Sequence, residues 1–206
     1  MTATENTSPE ARRQLMLALL RERRSWKPAG MDPAREVPAA LIGELLEAAC
    51  WAPTHGLTEP WRFVVFTGEA RRQLTEKLPL VYDAVTPPDQ VRPEKREKLG
   101  VVFTQAPVVI ALVMAHPPGA KIPEIEDLLA TGCAAQNLHL AASASGLAAM
   151  WSSPPLVYAD AVKPVLGLGP DERCLGFFFI GWPKSGAPVP VSVRRPWQEK
   201  TRWIEA

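Results

Sequence analysis

The sequence predicts an α+β fold, a sandwich with helices on both faces of a small mixed sheet. Three runs are too short for helices and too uniformly apolar for half-exposed strands: WRFVVF from Trp61, PVVIALVMA from Pro107 to Ala115, and CLGFFFIG from Cys174 to Gly181. Each reads as a strand buried on both faces. Helical spacing fills the intervals between them, which places helices against a sheet. The third observation is the stretch from Ile122 to Trp151, IPEIEDLLATGCAAQNLHLAASASGLAAMW, one long helix entering a short buried strand. After Glu126 nearly every position is small or apolar, with Ala134, Ala135 and Ala148 allowing close approach from several sides. Such a helix must itself be covered, by its own chain or by the same helix of a second subunit.

In chain order, residues 1–7 read as disordered. Ser8-Pro9-Glu10 is a helix start, and Leu15, Met16, Leu19 and Leu20 share one side of that helix. The helix runs directly into Arg23-Arg24-Ser25. A loop rich in Pro, Gly and Asp follows, then a helix over about Pro38 to Trp51 with Leu41, Ile42, Leu45, Leu46, Ala49 and Cys50 as its buried stripe. Glu69 to Leu78 is a polar amphipathic helix. The charged segment from Tyr82 to Gln105 is expected to form an exposed helix or lid. Gly146 ends the long helix, and Tyr158 to Leu166 makes another. Beyond Pro183 the chain is a proline-rich arm, residues 183–206, with alternating Val. A terminal arm of that length needs a surface to lie against, and a partner subunit is the expected one.

A chain of 206 residues suits one domain with a full core. A net charge of +1 gives no case for nucleic acid or an anionic membrane as partner. Cys50, Cys133 and Cys174 are far apart and lie among apolar neighbours, so they read as reduced core thiols with no metal-ligand spacing. The start lacks the basic-then-apolar pattern of a leader, and no uncharged run is long enough to span a bilayer. The expectation is a cytoplasmic protein without metal.

G-x-S-x-G and P-loop signatures are absent, and Gly167-Leu168-Gly169-Pro170 does not open a dinucleotide-binding helix. Hydrolases and nucleotide kinases are thereby disfavoured. Arg23-Arg24-Ser25 supplies two guanidinium forks and a hydroxyl, groups that hold a phosphate or a ribityl chain. Read alone, the triplet is equally a solvated basic helix end. His55, in APTHGLTEPW, sits in a polar turn before a strand; alone, it is more often a surface residue.

Together, RRS after an apolar helix, APTHGLTEPWRFVVF, TGCAAQNLHLAASASGLAAMWSSPP and LGFFFIGWP resemble the nitroreductase-like flavoprotein family over most of the chain. The likeness is greatest to the small bacterial nitroreductases of the YdjA-like branch, which share APxH before the PW strand and W-x-S after the central helix. The resemblance implies a three-layer α-β-α sandwich, an intertwined homodimer and FMN at each of two interface sites. It implies that Arg23, Arg24 and Ser25 grip the FMN phosphate and ribityl chain. Trp51 and His55 would approach the flavin from the other side of the pocket, and Trp151, Ser152 and Ser153 would lie along the ring or phosphate. Ala141, Ala142, Ser143, Ala144, Ser145 and Gly146 match a segment linked with nicotinamide. Arg194 and Arg195 resemble a C-terminal basic pair that closes on the phosphate.

Two departures accompany the likeness. Trp51 stands where those relatives have an arginine before APxH, and Ser152 where they have the arginine of W-R-S. Two positive charges are missing there, and Arg194 and Arg195 are the candidates to replace them. The implied activity is hydride transfer from NADH or NADPH through flavin N5 to a nitro compound, a quinone or a similar acceptor. The alternatives are a flavin-cleaving or dehalogenating member of the same fold, a flavin reservoir or sensor with little turnover, and a structural dimer without cofactor.

Overall fold

The computed structural model describes residues 8–205; the expectation of disorder at 1–7 lies outside them. The elements in chain order are α1 (Pro9–Glu22), α2 (Ala39–Cys50), β1 (Trp61–Thr67), α3 (Ala70–Val85), α4 (Pro93–Val102), β2 (Val108–Ala115), α5 (Glu124–Ala144), β3 (Ala148–Ser152), α6 (Lys163–Leu166) and β4 (Glu172–Gly181). The strands form one sheet in the order β1-β2-β4-β3, every pair antiparallel. The expected mixed character is confined to one isolated parallel bridge, Ser25 beside Ala149. Hairpin-like neighbours need no crossover helix, so the intervening helices are free to pack on the faces.

Alternation along the strands divides the core in two. One face carries Val109, Ala111, Val113, Phe177 and Phe179 under α3, α4 and the turns after Pro155. The other carries Val108, Ile110, Leu112, Phe178 and Ile180 under α2 and α5. The result is the three-layer sandwich expected from the sequence. β2 and β4 are buried on both faces as predicted, but β1 is not: Phe63, Val64 and Phe66 are only half-buried and Val65 is exposed. β1 is a sheet edge, and an apolar run does not distinguish an edge strand from a central one.

Packing fills in some of the other expectations and corrects the rest. The side of α5 bearing Asp127, Ala130, Thr131, Ala134, Ala135, Leu138, His139 and Ala142 is buried, at helical spacing, while Ile125, Leu128 and Leu129 stay exposed. Within one chain the helix is therefore covered on one side. α1 lies against α5 and buries no residue completely; Leu15, Met16 and Leu20 are exposed. Cys50 and Cys133 are exposed rather than core thiols, because each falls on the outward side of its helix; Cys174 is buried. α3 continues through Pro79 to Val85 instead of stopping at Leu78, with Pro79 buried. The expected helix from Tyr158 to Leu166 is broken into short 3-10 turns and the four-residue α6. The segment 82–105 contains α4, whose Leu99 and Val102 join the core.

Candidate functional site

Ser8 caps α1 by accepting the Ala11 amide, and the helix ends at Arg23, whose amide donates to Leu19 O at 3.0 Å. The chain then turns extended and runs beside β3, with the Ser25–Ala149 bridge and a 2.9 Å bond from the Trp26 amide to Ala149 O. Buried His139 of α5 sits behind this junction. Its Nε2 is 3.1 Å from Arg24 O and 3.2 Å from Ala149 O. Two carbonyls facing one ring nitrogen require that nitrogen to carry the proton and donate. Burial first, and the Arg23 charge second, push His139 below its ordinary pKa, while its two backbone bonds oppose the shift. Arg23 Nη1, 3.5 Å from the same nitrogen, packs against the ring as a cation and finds no acceptor there.

Positive charge is concentrated at this helix exit. Arg23 is held below its ordinary value by burial, then by the charges of Arg194 and Arg24. Arg24 donates from Nη1 to the carbonyls of Arg21 and Arg23, but its Nε is buried without a partner. An orphaned buried guanidinium donor costs free energy unless a ligand accepts from it. Arg194 Nη1 bonds Ser192 Oγ and Val193 O, which keeps that guanidinium over its own arm. Arg195 is exposed, and its carbonyl accepts from Lys200 Nζ at 3.0 Å. An oxyanion is the ligand this cluster suits.

Farther along the same strand, the Trp151 indole lies nearly parallel to Phe178, with centroids 5.9 Å apart and planes inclined by 15°. Its Nε1 donates to Leu175 O at 3.1 Å. That carbonyl is available because the β2–β4 register shifts at Leu112/Val113, which makes Leu175 the extra residue of a bulge. Gly176, at φ +133°, completes the arrangement: a Cβ there would lie 2.5 Å from Trp151 Nε1 and 2.7 Å from Ser152 O. Ser152 ends β3, half-buried, and Ser153 follows exposed.

Trp51 follows α2 and is 80% exposed. His55 lies in a tight turn that includes positive φ at Gly56, Leu57 and Glu59. Anchors hold this turn to the start of α5: Thr58 Oγ1 donates to Asp127 Oδ1 at 2.7 Å, and His55 Nδ1 lies 2.5 Å from Glu126 Oε2. Asp127 is buried and also receives His116 Nδ1 at 2.7 Å. Glu126 and His139, positions thirteen residues apart on one helix, are separated by about 20 Å at 1.5 Å per residue. The structure thus brings Arg23, Arg24, Ser25 and Arg194 together beside the strand that carries Trp151 and Ser152. It does not bring Trp51 or His55 to them within one chain.

The segment from Ala141 to Gly146 is the last turn of α5 and its exit. Ser145 Oγ donates to Ala141 O at 2.9 Å, and Gly146, at φ +73°, lets the Leu147 amide reach Ala142 O at 2.9 Å. The Ser145 hydroxyl is thus engaged inside the helix end.

Residues 20–182 match the nitroreductase family. The chain belongs to that family. It is 28% identical over 155 residues to YdjA of Escherichia coli (strain K12), covering 75% of this chain and 82% of that protein. A solved nitroreductase-like family protein from Bacillus cereus superposes with a TM-score of 0.78 at 30% identity, covering 100% of both chains. A protein of Desulfovibrio desulfuricans solved in complex with FMN gives a TM-score of 0.70 at 25% identity, covering 98% of this chain and 99% of the other.

In this member of the family, one residue that sequence reasoning missed is His139, which ties α5 to both β3 and the RRS backbone. Its only signal was a solitary histidine in an Ala- and Leu-rich stretch of α5. Asp127, which holds the His55 turn, was masked among the acids that begin the same helix. Among the described residues no group of His, Cys, Asp and Glu has the arrangement of a metal site. No helix among them is long and apolar enough to cross a membrane.

Proposed function

We propose that this nitroreductase-family oxidoreductase uses FMN and NADH or NADPH to reduce a nitroaromatic, a quinone or a similar acceptor, and that it works as a homodimer. The observation that carries the reading is the orphaned Arg24 Nε among the crowded guanidinium groups of Arg23, Arg24 and Arg194. A phosphate monoester dianion fits that donor set, since it accepts from several forks at once and relieves their mutual repulsion. Arg23, Arg24 and Ser25 would hold the phosphate and ribityl chain. Arg194 would stand in for positive charge that Trp51 and Ser152 do not provide. When bound, FMN supplies a hydride-accepting and hydride-donating ring. Trp151, Ser152 and Ser153 would lie along that ring, with Trp151 kept from rotating by Leu175 O and Phe178.

The dimer reading is supported by what one chain leaves unfinished. The His55 turn is anchored about 20 Å along α5 from the basic cluster, so the partner subunit's His55 and the partner subunit's Trp51 would complete the pocket. The open side of α5, the apolar side of α1 and the arm, whose Val191 is 92% exposed, provide the surfaces for a second copy. A large exposed apolar surface of this kind marks an interface.

The test is the visible spectrum of the freshly purified protein, with any released chromophore identified by mass, before and after anaerobic NADH or NADPH. A yellow protein carrying FMN that bleaches with nicotinamide supports the oxidoreductase reading. Bound flavin that does not bleach would favour a reservoir or sensor, and a colourless protein that takes up no FMN would overturn the cofactor assignment.

A further inference from the structure

The face of the sheet opposite Trp151 carries a cavity of about 510 Å³ between α3, α4 and the end of β3. We propose that it is a binding site for a small aromatic carboxylate. Its floor is aromatic: Phe103 stands edge-on to Phe177 with centroids 5.0 Å apart and is tilted over Phe179 at 5.4 Å. Leu99, Leu156 and Met150 complete the apolar wall. A planar ring is the body that such a floor favours, because edge and face contacts add to the area buried.

The mouth has the opposite character. Lys95 and Lys98 line it, three residues apart on α4 and on the side that also buries Leu99 and Val102. Neither lysine forms an ion pair among the described residues. The acid nearby on α3, Asp83, is engaged by Arg96 Nε at 3.0 and 2.8 Å. Two unpaired ammonium groups at the rim of an apolar cavity select a ligand with an apolar body and one anionic end. The Tyr82 hydroxyl accepts the Arg92 amide at 3.0 Å, which fixes the entry of α4 against α3 and keeps the cavity formed.

Met150 and Ser152 face this cavity while Trp151, between them on β3, faces the other side of the sheet. The cavity therefore lies on the face of the sheet away from the Trp151 indole, and Ser152 is the residue it shares with those assigned to the flavin ring.

Isothermal titration of the protein as purified, with 2-naphthoate and with its neutral amide, tests the proposal. The expected result is one naphthoate per chain, no change in any flavin absorbance, and affinity about tenfold lower in the Lys95→Gln/Lys98→Gln variant. The amide should bind that variant as it binds the parent. Ala159→Trp, which fills the cavity without touching the lysines, should abolish both. Absence of naphthoate binding to the parent chain would overturn the proposal. So would binding that survives both variants or that shifts the flavin spectrum, because the ligand would then be stacked elsewhere.

Discussion

His139 Nε2 lies 3.1 Å from the carbonyl oxygen of Arg24, so the central helix holds the backbone of the basic triplet and leaves its guanidinium groups for a ligand. Replacing His139 by Leu strands the Arg24 carbonyl at a buried junction, while the Ala149 carbonyl keeps the Trp26 amide. The expected loss is about 1–3 kcal/mol of stability in urea denaturation, together with weaker flavin retention. A variant as stable as the parent would show that the junction is held by the strand bridge alone.

The same histidine sets a pH dependence. Its folded pKa is depressed, chiefly by burial and then by Arg23, so the unfolded chain binds the proton more readily. Stability contributed by neutral His139 is complete above the unfolded value of about 6.5 and is lost as pH falls below it. Melting temperature measured from pH 8 down to pH 5 should decline in the parent, and part of that decline should vanish in His139→Gln.

Removal of Arg24 tests the anion grip. Arg24→Ala should be purified with little or no chromophore, and added FMN should no longer raise its melting temperature. In the parent, ligand at a hundred times its Kd adds about 2.7 kcal/mol. Arg194→Ala should show the same direction with smaller effect, since Arg194 reaches the cluster only through its field. Equal FMN uptake by Arg24→Ala and the parent would refute the phosphate assignment.

The Trp151 mooring depends on a glycine. Gly176→Ala places a Cβ against both Trp151 Nε1 and Ser152 O at a backbone angle that L-residues rarely adopt. The expected cost is about 2–3 kcal/mol or more. Trp151→Phe keeps the stack on Phe178 and loses only the bond to Leu175 O, so it should cost about 1 kcal/mol. Chemical denaturation of the two variants side by side checks the ranking.

Thiol labelling distinguishes the three cysteines. Burial pushes Cys174 up to about 11, and its Sγ lies among core side chains. Iodoacetamide followed by mass spectrometry should leave Cys174 unmodified in the folded protein and modify it only in denaturant.

Much of this molecule was legible in its sequence because the signals were local. Apolar runs marked β2 and β4, the Ala-rich stretch marked α5, and Arg23-Arg24-Ser25 stood at a helix exit as expected. What escaped depends on neighbours that sequence order does not specify. β1 and β2 read alike, yet one lies at an edge. Cys50 and Cys133 share apolar surroundings in the sequence but point outward in space. His139 and Ala149 are ten residues apart, and their meeting with Arg24 depends on a chain that passes beside β3 from the far end of the sequence. The separation of the His55 turn from the basic cluster is likewise a property of α5 as a solid body.

That last property limits how the chain can change over generations. The turn that carries His55 and the junction that carries Arg24 are both fastened to α5, so the register between them is the register of one unbroken helix. A single inserted or deleted residue between Glu126 and His139 would shift the two ends by about 1.5 Å and rotate them by about 100° relative to each other. No side-chain adjustment could absorb that rotation while His139 still faced Arg24 and Asp127 still faced Thr58. Length variation is therefore expected to be excluded from this interval and to be better tolerated in the connection from Thr86 to Arg92, whose far end is fixed by the bond from the Arg92 amide to the Tyr82 hydroxyl.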